Sequence, residues 1–186
     1  MIRHIFLLLI ICFTISCTNY APRPQGYFRI ATPEPTYTMY WNEECGFGFE
    51  LSEFAEIRPR EQGKCWLNIV YPFYKGEIHG TYRLINNDFH ELTEDVRSFV
   101  YKPHTGVADA IAERFFGNPE KRVYGMLYEL KGNTASPIQF MLTDSVNFLF
   151  RGALYFDASP NKDSIAPVAE YIGRDIIRLM ESFEHK

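Results

Sequence analysis

The chemistry most legible in this chain of 186 residues lies in its four cysteines. Cys17 closes the run Thr14-Ile15-Ser16-Cys17, which follows Met-Ile-Arg-His and an apolar stretch over 5–15. A thiol placed there, behind the small Ser16, matches a bacterial lipobox, in which the cysteine is diacylated and becomes the mature N-terminus. Cys12 is a poor acceptor, because it sits inside the apolar stretch behind the bulky Ile11. Thr14 departs from the aliphatic residue usual at its position. The apolar stretch falls short of the roughly 20 residues that span a bilayer. With Arg3 before it and small residues at its end, it reads as a signal peptide, 1–16. Acyl chains contribute about 0.8 kcal/mol per buried CH₂, so two or three on Cys17 would hold a soluble domain on a membrane without a spanning helix.

Cys45 and Cys65 are then left as a pair. In an oxidising envelope compartment, two cysteines 20 positions apart predict one disulfide. Loop closure of that size gives roughly 3 kcal/mol. The alternative is two buried free thiols. Zinc is disfavoured, since neither cysteine belongs to a C-x-x-C pair and no histidine is close by.

Beyond the cysteines, the candidates for chemistry are weak. The chain has no G-x-S-x-G, P-loop, H-E-x-x-H or dinucleotide fingerprint. His90 and Glu94 share helical spacing as metal ligands would, but a solvated polar face explains both. His104, near Asp109, could be a base, although a helix cap or core hydrogen bond accounts for it. Asp144-Ser145 places a nucleophile beside an acid where a turn between strands is equally served. Asp157, Asn161 and Asp163 are rich in oxygen yet lack the ligand count and glycine of a calcium loop. No catalytic residue, metal site or cofactor is assigned. Among Arg97, Arg151 and Arg174, Arg151 stands out because it interrupts an apolar strand, so it either pairs with a carboxylate or faces a partner. Tyr155, four residues on, belongs to an abundant set of 12 tyrosines. Arg with Tyr is the composition of a binding surface, and this pair is the candidate partner-binding site.

Charge narrows the partners. Asp plus Glu outnumber Lys plus Arg by 23 to 19, a formal charge of −4, which becomes one unit more negative when Arg3 leaves with the leader. An acidic chain without a basic run argues against nucleic acid. It argues equally against anchoring by anionic head groups. The membrane contact expected is the acyl anchor on Cys17.

Residues 17–39 carry Pro22, Pro24, Pro33 and Pro35 and read as an extended tether. Residues 40–186 form a single domain, and 46% apolar residues are ample for its core. Period-two alternation predicts strands at 47–51, 54–57, 65–71, 77–85, 122–131, 137–143 and 148–157. Phe148, Phe150, Leu154 and Phe156 oppose Leu149, Ala153 and Tyr155, so the last strand is covered on both faces. Helical spacing predicts two helices across 88–116, broken near Pro103, and a final helix capped at Asp163 or Ser164 and running to about 183. The fold class is α+β: an antiparallel sheet of about six strands flanked by helices on both faces. The order of elements at the end of the chain resembles the α/β/α sandwich of PsbP/Mog1-like proteins, a likeness that carries no function.

A family resemblance extends over the whole mature chain. Tyr20-Ala21-Pro22-Arg23-Pro24-Gln25-Gly26-Tyr27-Phe28-Arg29, Cys65-Trp66, Tyr71-Pro72, Val123-Tyr124-Gly125, Lys131-Gly132-Asn133-Thr134-Ala135-Ser136, Thr143-Asp144-Ser145 and Arg151-Gly152-Ala153-Leu154-Tyr155-Phe156 resemble the gliding-motility lipoprotein GldD family. The resemblance implies a periplasm-facing lipoprotein without enzymatic activity. It would support assembly or stability of other envelope lipoproteins of the gliding and type IX secretion apparatus, such as GldJ. It maps the acylated cysteine to Cys17 and the paired cysteines to Cys45 and Cys65. Pro103 stands before His104 where the family has Lys-His. The competing expectation is an envelope-anchored module that binds a small ligand or glycan in a pocket lined by Trp41, Trp66 and tyrosines.

Overall fold

Side chains that alternate along 67–84 and 123–156 can bury one face only by pairing edge to edge, and these segments form one antiparallel sheet. The computed structural model describes residues 30–61, 63–157 and 161–186. The leader, Cys17 and all of the tether up to Arg29 lie outside the described residues. In chain order the elements are β1 (Tyr37–Asn42), β2 (Phe47–Ser52), β3 (Glu56–Pro59), β4 (Leu67–Tyr71), β5 (Gly76–Leu84), α1 (Phe89–Tyr101), β6 (Ala108–Asn118), β7 (Val123–Gly132), β8 (Ile138–Thr143), β9 (Phe148–Phe156), α2 (Lys162–Ser182) and β10 (Glu184–His185). Seven strands form the main sheet in the order β3-β4-β5-β9-β8-β7-β6, and a second sheet has the order β1-β2-β10. The fold is α+β, with one strand more in the main sheet than the six expected and a small second sheet.

One face of the main sheet carries Ile69, Ile78, Phe140, Phe150 and Leu154, which bury against Phe47 and Phe49 of β2 and against Ile172, Ile176 and Leu179 of α2. The other face receives α1, whose Leu92, Val96 and Val100 meet Tyr128, Leu130 and Leu149. Fully burying one such side chain is worth roughly 1.5–3 kcal/mol. Position 125 is glycine because a Cβ there would lie 2.2 Å from the Met141 carbonyl oxygen of the neighbouring strand. No helix among the described residues is long and apolar enough to cross a membrane.

Three expectations are corrected. The segment read as a second helix, 107–116, is the edge strand β6, paired with β7 from Ala108↔Gly132 to Asn118↔Val123. A helix there would need to bury Val107 and Phe115, which are 50% and 69% exposed. After Pro103 the chain makes a tight turn, with the Val107 and Ala108 amides donating to His104 O. Second, α2 is capped by Asn161, whose side chain accepts from the amides of Asp163 and Ser164, so its start lies before the expected cap. Third, Tyr37, Thr38 and Met39, assigned to the tether, are paired with Ser52, Leu51 and Glu50 as the first half of β1.

A buried carboxylate ties α2 to both sheets. Asp175, 4% exposed, accepts from the Tyr37 hydroxyl at 2.7 Å and the Tyr71 hydroxyl at 3.1 Å. Burial raises its pKa, against the pull of those donors.

Candidate functional site

The second face of the main sheet is only half covered. α1 packs over β7 and the start of β9, leaving the β3-β4-β5 end and the far half of β9 open. Register places Arg58, Asn68, His79, Ala153 and Gln139 in one row across five strands. Arg151 stands in the adjacent row, opposite Thr81 and Met141.

The Arg151 guanidinium reaches along the strand over Ala153, which is fully buried. Its Nη2 donates to Gln139 Oε1 at 2.8 Å, it lies 4.8 Å from the centre of the Phe99 ring, and the Tyr155 hydroxyl bonds to it. Phe99, from α1, is itself 56% exposed and walls the site. Arg151 Nε and Asn68 Oδ1 are buried without a hydrogen-bond partner. Among the described residues no carboxylate pairs with Arg151. Burial lowers the Arg151 pKa, and Tyr155 opposes that shift; an arginine nevertheless stays charged.

His79 forms the other wall. Its ring lies 4.8 Å from that of Tyr155, and its Nε2 lies 3.5 Å from Glu77 Oε1. Burial lowers its pKa; Glu77 raises it, while Arg60 and Arg151 lower it further. The positive charge of this face therefore comes from arginine. The arrangement offers a partly buried guanidinium between aromatic rings, a combination suited to binding.

The other sequence candidates do not converge on it. Cys45 and Cys65 form a disulfide with Cα atoms 5.9 Å apart, clamping the β1–β2 turn to the segment before β4. His90 and Glu94 are exposed on α1, and among the described residues no three His, Cys, Asp or Glu side chains are grouped to hold a metal. His104 is buried, with Nδ1 2.7 Å from Val100 O, and closes the end of α1. Asp157 and Asp163 are exposed, and Asn161 is occupied as the cap of α2. Arg97 is exposed, and Arg174 lies over the Tyr171 ring. Trp41 packs under Lys186 and Trp66 under Arg60. A cleft of about 660 Å³, lined by Leu130, Ile138, Ile165 and Ala169 with Asp109 and Glu170 at its rim, includes neither tryptophan.

Asp144 and Ser145 make a turn. The carboxylate accepts the amides of Asn147, Val146 and Phe148 at 2.7, 3.0 and 3.2 Å, and Ser145 has a positive φ of 68°. Burial works to raise the Asp144 pKa, but these donors outweigh it and hold the carboxyl below its usual range. A depressed folded pKa gives stability that is complete above the unfolded value and is lost as pH falls through the folded one. Asp144→Ala should cost about 1 kcal/mol at pH 7, as loss of a capping oxygen does. The difference from the parent should vanish in acid, below the ordinary aspartate range. A difference in urea midpoint that persists unchanged to pH 2 would refute this.

Sequence reasoning singled out Arg151 and Tyr155, which the structure brings together, but not Gln139, Phe99, His79 or the buried Asp175 that lie around them or elsewhere in the fold. Their signal is cross-strand and helix-to-sheet proximity, which only register supplies.

The gliding motility lipoprotein GldD family model matches residues 17–185 of the chain. No curated protein matches the sequence. Among solved structures, the solution structure of cyanobacterial PsbP (CyanoP) from Synechocystis sp. PCC 6803 is similar, with 10% identity and a TM-score of 0.49. The alignment covers 87% of this chain and 96% of that one.

Proposed function

The chain belongs to the gliding motility lipoprotein GldD family, and from that premise we propose that it is a non-enzymatic accessory factor of the gliding and type IX secretion machinery. Membership in a lipoprotein family makes it a membrane-anchored protein of the cell envelope. The observation that carries the fuller reading is where the family match opens: at Cys17, the cysteine of the lipobox-like run. The protein is acylated there, faces the periplasm, and supports assembly or stability of other envelope lipoproteins, GldJ among them. The half-open sheet face with Arg151 and Tyr155 is the surface that meets them, since a site of arginine and aromatic residues without a nucleophile suits recognition.

The test is affinity purification of the tagged full-length protein from its own envelope after mild crosslinking, with a deletion strain for comparison. Recovery of gliding or type IX secretion lipoproteins, whose levels fall in the deletion, is the expected result. A protein recovered alone, with lipoprotein levels unchanged, would overturn the accessory reading. It would move the weight to binding of a small ligand, for which the apolar cleft between β7, β8 and α2 is the available space.

A further inference from the structure

We propose that the turn Pro72–Tyr74 is a second membrane contact, with the Phe73 ring seated in the interface of the bilayer that holds the acyl anchor. The inference rests on acylation at Cys17 and adds which end of the domain faces the lipid.

Phe73 is 75% exposed, the most of any large apolar side chain among the described residues. An apolar side chain alone on a surface is common and needs no explanation. This one is distinguished by its place beside the chain that comes from the anchor. The neighbouring Tyr74 is buried. Its ring meets that of Phe73 edge to face with centres 5.0 Å apart, and its hydroxyl donates to Ala31 O at 3.0 Å. The segment arriving from Cys17 is therefore fastened to the domain at the turn that bears Phe73. Ile30, which precedes that hydrogen bond, is itself 38% exposed.

Only residues 18–29 separate Cys17 from Ile30. A chain of that length reaches roughly 40 Å fully extended in a polyproline form, and roughly 20 Å as a flexible coil. The radius of gyration of a domain of this size is about 15 Å. The turn is thus kept near the lipid at the effective concentrations a short linker gives, so a contact too weak to recruit a free protein suffices to orient a tethered one.

The local chemistry suits an interface. Phe73 stands between the exposed Pro72 and Lys75, in a tight turn closed by the Lys75 amide donating to Pro72 O. An aromatic ring sits well at head-group depth, and a neighbouring lysine can lay its stem on lipid while its ammonium stays among the head groups. Glu77 and Asp157 share the hollow beside Lys75, so the turn has no positive surplus. The contact draws on apolar burial and not on anionic lipid.

The acylated full-length protein, purified from its own envelope, would be reconstituted in phosphatidylcholine vesicles with and without bromine on the acyl chains, which quenches tryptophan on contact. Against the parent background of Trp41 and Trp66, the emission added by Phe73→Trp should fall at least roughly twofold in the brominated vesicles, as a ring at interface depth requires. Phe115→Trp is the control, at a site 69% exposed on β6 at the far end of the main sheet, and its added emission should not be quenched. Molar salt should leave the Phe73→Trp quenching unchanged. Equal quenching of the two variants, none for Phe73→Trp, or its loss in salt would overturn the contact as described. Phe73→Trp emission already shielded in the unacylated Cys17→Ser protein, without vesicles, would overturn the lipid occupant, because the tether or a second copy would then cover the turn. The two readings fail separately: a parent whose Cys17 carries no acyl chains by mass spectrometry refutes the anchor and this contact with it, whereas an acylated parent whose Phe73→Trp variant stays unquenched refutes the contact alone.

Discussion

Phe183→Ala should destabilise the domain by about 3–5 kcal/mol, the range for deleting a fully buried phenylalanine without collapse of the site. Phe183 is 0% exposed, and its ring lies 5.4–5.8 Å from those of Phe150, Phe148 and Phe47 and 6.4 Å from that of Phe49. Those rings belong to β2 and β9, so the residue sits where both sheets and the end of α2 meet. None of the surrounding strands can move in without losing its own register, and the cavity should persist. For a domain of this size the loss corresponds to a fall in Tm of roughly 10 °C. Phe73→Ala is the control, since Phe73 is 75% exposed and should cost close to nothing. A thermal melt in which both variants fall within a degree of the parent would contradict the packing described.

The second large effect is at the disulfide. Replacing Cys45 and Cys65 together by serine should cost about 3 kcal/mol, chiefly by restoring freedom to the unfolded chain. The bridge closes 20 positions that include β2 and β3. β3 is a four-residue strand with Pro59 at its end and, among the described residues, pairs only with β4. Reduction should therefore loosen this edge first. Denaturation of the parent with reductant should reproduce the midpoint of the double variant, and the variant should not respond to reductant. A parent whose midpoint is unaffected by reductant, with thiols shown to be fully reduced, would refute the contribution.

The strands of the central sheet were readable because alternation there is strong: in β9 the phenylalanines face α2 and Tyr155 and Ala153 face the other way. The edge strand β6 was hidden by its own composition. Val107, Ala110, Ile111 and Phe115 recur at helix-like intervals, and the alanines have high helix propensity, but pairing with β7 overrides that local preference. β1 was masked because prolines shortly before it made the segment read as tether. β10 is two residues long and has no period to detect. At the candidate site, Arg151 was visible as a charge inside an apolar strand. Gln139, His79 and Phe99 were not, since each looks like an ordinary polar or apolar position until the strand order β5-β9-β8 and the crossing of α1 bring them together. Asp175 looked like one more polar residue on a helix, because its two phenol partners come from β1 and β4.

The small sheet sets a clock on biogenesis. β2 is held by β10, and the Glu50 amide donates to Ser182 Oγ across 132 positions. At synthesis rates of roughly 5–20 residues per second, that interval is on the order of ten seconds. Throughout it, Phe47 and Phe49 have been made and their cover has not. Until residues 183–185 are added this aromatic cluster is bare, and the half-built sheet offers it no shelter. The exposure of the nascent chain to proteolysis should therefore be concentrated in the interval before residues 183–185 arrive.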